Sequence, residues 1–85
     1  MISTEDIKAR IQTALPAADI RVEGADGVHF DTVVIAEAFE GLSLVKRQQM
    51  VYQVLQDWIT SGRLHAIALK THTPREWREK GNHTV

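Results

Sequence analysis

The longest amphipathic pattern runs from Ser43 to Gly62, where Leu44, Val51, Val54, Leu55, Trp58 and Ile59 recur at three- and four-residue spacing. That periodicity predicts one long helix with a single apolar face. Lys46, Arg47, Gln48, Gln49, Gln53, Gln56 and Asp57 fill most of the remaining, solvent-facing surface. Ser43 suits the N-cap, and Gly62 suits the left-handed residue that follows a helix end. At a 1.5 Å rise per residue the segment spans about 30 Å, the width of a small domain, so the other elements must be arranged around it.

The rest of the chain divides around this helix. Ile7, Ile11 and Leu15 fall four residues apart in a first helix over Thr4–Leu15, with Glu5 and Asp6 at its positive end and Pro16 as its stop. Asp19–Glu23 alternates, with Ile20 and Val22 on one side, and predicts an edge strand. The Asp26-Gly27 pair marks a hairpin into a second strand over His29–Ala36. Its run Val33-Val34-Ile35-Ala36 is apolar on both faces, which suits a central strand.

Glu37–Leu42 reads as a bend or short helical turn with Phe39 as a plug and Gly41 as a joint. A third strand follows the long helix over His65–Thr71, with Ile67 and Leu69 on the same face as His65. Thr73, Pro74 and Glu76 form a capping box that opens a last short helix, and Trp77 packs back on the body. A frayed tail covers about residues 80–85.

The order is α-β-β-α-β-α, an α+β fold in one domain over residues 1–85. A hairpin followed by a right-handed βαβ crossover predicts a three-stranded mixed sheet, its second strand central and its helices largely on one face.

Composition narrows the function. The 85 residues make one small domain, no run is long and apolar enough for a membrane helix, and the acidic start reads as the beginning of a cytoplasmic protein. Cysteine is absent, which excludes disulfides, thiol catalysis and thiolate ligands from this chain. Net charge is −1, but its distribution is uneven: residues 1–42 carry 3 basic and 8 acidic side chains, and residues 43–85 carry 7 basic and 3 acidic. Such polarity is either ordinary solvation or a surface that docks charged partners.

Candidate chemistry is sparse. Parallel pairing of the second and third strands places their first residues, His29 and His65, at one edge of the sheet although they lie 36 positions apart. Two neutral imidazoles make half of a tetrahedral metal site; the competing reading is a packing residue and a loop residue. His72 and His83 read as solvated. The chain shows no Cys-His pair, phosphate-cradling glycine loop or H-E-x-x-H motif, and Asp26, Asp31, Glu37 and Glu40 read as turn and surface residues. An enzyme is not expected.

The element order resembles the second topological class of KH folds, which bind single-stranded nucleic acid, although Phe39-Glu40-Gly41-Leu42 supplies only one glycine of the G-x-x-G loop. Basic residues of the second half, Lys46, Arg47, Arg63, Lys70, Arg75 and Arg78, are candidate phosphate contacts.

Several segments taken together resemble the BolA-like proteins: His29-Phe30, the apolar strand, Phe39-Glu40-Gly41, Arg47, Val51-Tyr52, His65-Ala66 through Lys70-Thr71, and Thr73-Pro74-x-Glu76-Trp77. The match covers roughly Ile7 to Trp77, and the Val-Lys-Arg-Gln-Gln-x-Val-Tyr segment is similar to the bacterial acid-stress branch. The resemblance implies a class II KH-like fold and a heterodimer with a monothiol glutaredoxin. In such a pair a [2Fe-2S] cluster is shared: the glutaredoxin supplies a cysteine and a bound glutathione thiolate, and the BolA-like chain supplies histidine.

The family's ligand at the start of the third strand corresponds to His65, and a second ligand near the connection between the first and second strands to His29. Imidazole ligation raises the potential of such a cluster and makes its retention sensitive to acidity. The implied function is a non-enzymatic role in iron-sulfur assembly, trafficking or its regulation; no cluster is expected on the isolated chain. The alternative is a DNA-binding stress-response transcriptional regulator using Lys46, Arg47, Lys70 and Arg75. A homodimer through the sheet face or edge strand is a third possibility.

Overall fold

A computed structural model describes residues 2–24 and 26–81. Its elements are α1 (Thr4–Ala14), β1 (Asp19–Glu23), β2 (His29–Ile35), a 3₁₀ turn (Glu37–Phe39), α2 (Leu44–Thr60), β3 (Ala66–His72) and α3 (Pro74–Gly81). The predicted order holds, with boundaries shifted by a residue or two.

Local chemistry explains the helix ends. At the start of α1 the Ser3 hydroxyl accepts from the Asp6 N–H at 3.1 Å, and the Asp6 carboxylate accepts from the Ser3 N–H at 2.9 Å. This reciprocal pair satisfies two donors that the first turn leaves free. At its other end the Gln12 amide donates to the carbonyls of Pro16 and Ala18, both at 2.9 Å, and so ties down the turn into β1. Ser43 caps α2 by accepting from the Lys46 N–H, and Gly62 follows α2 with φ of +80°. An L-residue with a Cβ is strained there, so glycine lets the chain reverse at once toward β3.

The sheet order is β1-β2-β3, with β1 antiparallel and β3 parallel to the central β2. Register pairs Ile20 with Val34, and Phe30, Thr32 and Val34 with Ile67, Leu69 and Thr71. These residues form the inner face, and all but the half-buried Ile67 are buried. Above them lie Ile7 and Ile11 of α1 and Val51 and Leu55 of α2, all with no exposed surface, and they form one core cluster with the sheet. Each such aliphatic side chain contributes roughly 1.5–3 kcal/mol of burial. On the outer face, Asp19, Arg21, Glu23, His29, Asp31, Ala68 and Lys70 are exposed.

α1 and α2 thus share one face, and α3 closes the sheet end where Ile35 pairs with His72. The Trp77 ring lies 5.4 Å from the His72 ring, and the Arg21 guanidinium lies 4.9 Å from the Trp77 ring centre.

Four expectations are corrected. Leu44, assigned to the apolar face of α2, is 65 % exposed, and its neighbour Val45 is 64 % exposed. The first turn of α2 overhangs the core, so the apolar face begins one turn later. Arg47, assigned to the surface, is only 7 % exposed and occupies the buried stripe with Val51 and Leu55. Its Nε donates to the Leu42 carbonyl at 3.0 Å, and its two terminal nitrogens donate to the Glu76 carboxylate at 2.7 and 3.3 Å. A buried guanidinium needs such a partner, and Glu76, 29 residues away, was invisible to local periodicity.

His72, expected to be solvated, ends β3 and is half-buried. The expected tail is corrected at its start, because α3 continues through Lys80 to Gly81; residues 82–85, including His83, lie outside the described residues. Phe39, in contrast, is fully buried as the expected plug.

Candidate metal centre at the open end of the sheet

The starts of β2 and β3 form one end of the sheet. His29 opens β2 in register with Ala66, and His65 immediately precedes β3, one position outside the ladder. Both histidines are exposed, and both line one groove of about 480 Å³ with Phe30, Asp31, Tyr52 and Ile59. His65 also borders a second groove of about 750 Å³ with Val28, Trp58 and Arg63. The two imidazoles therefore share a site without facing each other directly across the ladder.

Each histidine is placed by a short local device. After α2, the Leu64 N–H donates to the Trp58 carbonyl at 3.0 Å, and the Leu64 side chain is buried. This anchor leaves His65 exposed immediately before the strand. On the other side, Gly24 passes so close to Phe30 that an added Cβ would lie 2.4 Å from a ring carbon. Glycine there lets the hairpin close over the buried Phe30, and His29 turns to the opposite face.

Asp26 organises the hairpin turn. One carboxylate oxygen accepts from the N–H groups of Val28 and His29 at 2.9 and 2.8 Å. The other lies 2.7 Å from His29 Nδ1. These three contacts, led by the side-chain bond to His29, hold the Asp26 pKa well below the usual carboxylate range. Asp26 was read from sequence only as a turn residue; the spacing Asp-Gly-Val-His carried the signal, since residues three apart across a turn come within hydrogen-bond reach.

The donor set fits part of a metal site. Neutral imidazole binds zinc, copper and iron. A ligating histidine commonly donates its other ring N–H to a carboxylate, as Asp26 allows for His29. Among the described residues no group of three or more His, Asp, Glu or Cys side chains converges. Two imidazoles leave at least two positions of a four-coordinate iron to be filled by another molecule.

The remaining basic candidates are dispersed. Lys46 and Arg75 are exposed in the first turns of α2 and α3, which the Arg47–Glu76 pair brings together. Lys70 is exposed on the outer sheet face, opposite Val33 in register. Arg47 is sequestered by Glu76 and the Leu42 carbonyl and offers no free guanidinium to a phosphate. No helix among the described residues is long and apolar enough to cross a membrane.

A family model described as BolA-like protein matches residues 5–76. The chain is 38 % identical over 76 residues to the acid stress protein IbaG of Escherichia coli, covering 89 % of each chain. It also resembles the structure of a bolA protein homologue from Coxiella burnetii (TM-score 0.79, 40 % identity, 92 % of this chain and 99 % of that one). The BolA domain of SufE1 from Arabidopsis thaliana is similar as well (TM-score 0.75, 33 % identity, 89 % and 99 %). Family model, relatives and fold agree: the chain belongs to the BolA-like protein family.

Proposed function

We propose that this chain is a non-enzymatic partner of a monothiol glutaredoxin, with which it holds a [2Fe-2S] cluster through His65 and His29 in iron-sulfur assembly, trafficking or its regulation. The observation that carries this reading is the pair of exposed histidines lining one groove, in a chain without cysteine. A cluster needs thiolate ligands that this chain lacks, so the partner must bring them: the glutaredoxin cysteine and a bound glutathione. Bound there, the cluster supplies one-electron chemistry, with its potential raised by the two imidazoles. The chain's own contribution is two neutral ligands, a rigid sheet end behind them, and an apolar wall of Phe30, Tyr52 and Ile59.

Reconstitution with glutaredoxin, glutathione, iron and sulfide tests the reading through visible circular dichroism. A spectrum distinct from that of the glutaredoxin alone, altered by His65→Ala, is the expected result. His29→Ala then reports on the second ligand, and no new spectrum with the wild-type chain contradicts the proposal.

Exposed Lys46, Lys70 and Arg75 support a second reading, a KH-like DNA-binding regulator, which loses Arg47 from its contact set. Its signature is DNA affinity that falls steeply with salt; no binding at low salt contradicts it.

A further inference from the structure

We propose that Asp26 is a positioning residue that holds the His29 imidazole with its proton on Nδ1 and presents Nε2 as the ligating atom. The inference rests on the metal-site reading for its purpose, and on geometry for its content.

An ionised carboxylate can only accept hydrogen bonds, so the 2.7 Å contact to Nδ1 requires the proton on that nitrogen. In a neutral ring Nε2 is then the unprotonated nitrogen. The carboxylate is itself immobilised, because its other oxygen holds the N–H groups of Val28 and His29. Swinging away from the ring would cost it those bonds.

Nothing else described fixes the ring. His29 is 74 % exposed, and its register neighbour is the small Ala66. Fold stability does not explain the pairing: so exposed a contact adds little, and the backbone bonds to Val28 and His29 already make the turn. The oxygen turned to the ring is free for another role. Orienting a ligand is such a role, since carboxylates behind metal-bound histidines fix tautomer and ring plane.

Asp26→Asn separates the two jobs. Its amide oxygen can still accept from the Val28 and His29 N–H groups and so keep the turn. Its NH₂ must then donate to Nδ1, which drives the ring proton to Nε2 and blocks the outward lone pair. Asp26→Ala removes both functions and serves as the second variant.

The test is long-range proton–nitrogen NMR on ¹⁵N-histidine-labelled protein at pH 8, followed by titration with Zn²⁺ alone. Wild type is expected to show the Nδ1–H tautomer at His29. Asp26→Asn is expected to show Nε2–H at His29, with amide signals outside the turn unchanged. Zn²⁺ should shift His29 and His65 together in wild type, with affinity about tenfold or more lower in Asp26→Asn.

A mixed His29 tautomer that ignores Asp26→Asn overturns the proposal, as does equal Zn²⁺ affinity in the two proteins. An intact Nδ1–H tautomer with no response of either histidine to Zn²⁺ overturns the metal-site reading and the ligand role with it. The two failures therefore give different spectra.

Discussion

The two ends of the sheet make opposite use of the same chemistry. At the closed end, His72 is half-buried against Trp77, and its Nε2 finds no hydrogen-bond partner among the described residues. Beside it Arg47 and Glu76 are locked together, Thr73 and Glu76 cap α3 reciprocally, and Phe39 is fully buried. At the open end, roughly 20 Å away along β2, His29 and His65 face solvent. Their only described side-chain restraint is the carboxylate of Asp26. Histidine paired with packing serves the fold, and histidine paired with exposure is left over from it. That leftover pair is what the proposed cluster site rests on.

Substitutions at the two ends should separate cleanly in chemical denaturation. The largest effect is expected for Phe39→Ala, which empties a fully buried site and should cost roughly 3–5 kcal/mol. His29→Ala and His65→Ala should stay within about 0.5 kcal/mol of wild type. A large loss at either histidine would break the distinction between the ends.

Glu76→Ala comes next, at roughly 2–4 kcal/mol, because it strips a buried guanidinium of its partner and α3 of its capping box. The same carboxylate predicts an acid limb. Hydrogen bonds from Arg47 and Thr73 lower the Glu76 pKa from 4.5 to about 2. Its contribution is full above 4.5 and lost as pH falls toward 2, so Glu76→Gln should flatten that part of the stability profile.

His72 gives a smaller effect at milder pH. Burial, followed by the Lys80 charge, pushes its pKa below 6.5; the Arg47 and Lys70 charges add to this, and Glu76 opposes it. The unfolded chain therefore takes up a proton that the folded chain resists. Stability should decline as pH drops through about 6.5, and His72→Phe should remove that slope in urea titrations at pH 5 and 8.

The smallest effect is expected for Leu44→Ser, within about 0.5 kcal/mol, since that side chain is 65 % exposed. A loss above 1 kcal/mol would restore it to the core.

What sequence could show followed from what acts locally. Alternation in Asp19–Glu23, the hairpin glycines and the Thr73-Pro74-x-Glu76 box depend on neighbours, and each element formed where its pattern lies. Helical spacing does put Arg47 four residues before Val51 on the buried stripe, but the carboxylate that lets its charge stay there, Glu76, lies across the fold, and exposure of Leu44 depends on where the core ends. His72 was misplaced because β3 runs one residue further than its apolar pattern. At the site, parallel pairing was enough to bring His29 and His65 to one sheet end, while the one-residue offset between His65 and the ladder was not readable. Asp26 was readable and was missed, because turn chemistry was a sufficient account of an Asp-Gly pair.

In the proposed assembly the open end lends two histidines to a shared cluster. Its most direct test is pulsed EPR of the reduced cluster, reconstituted from ¹⁵N-histidine-labelled chain and unlabelled glutaredoxin with glutathione. Two ¹⁵N couplings are predicted, one lost in His65→Ala and the other in His29→Ala. A cluster that shows no ¹⁵N coupling from this chain would contradict the account.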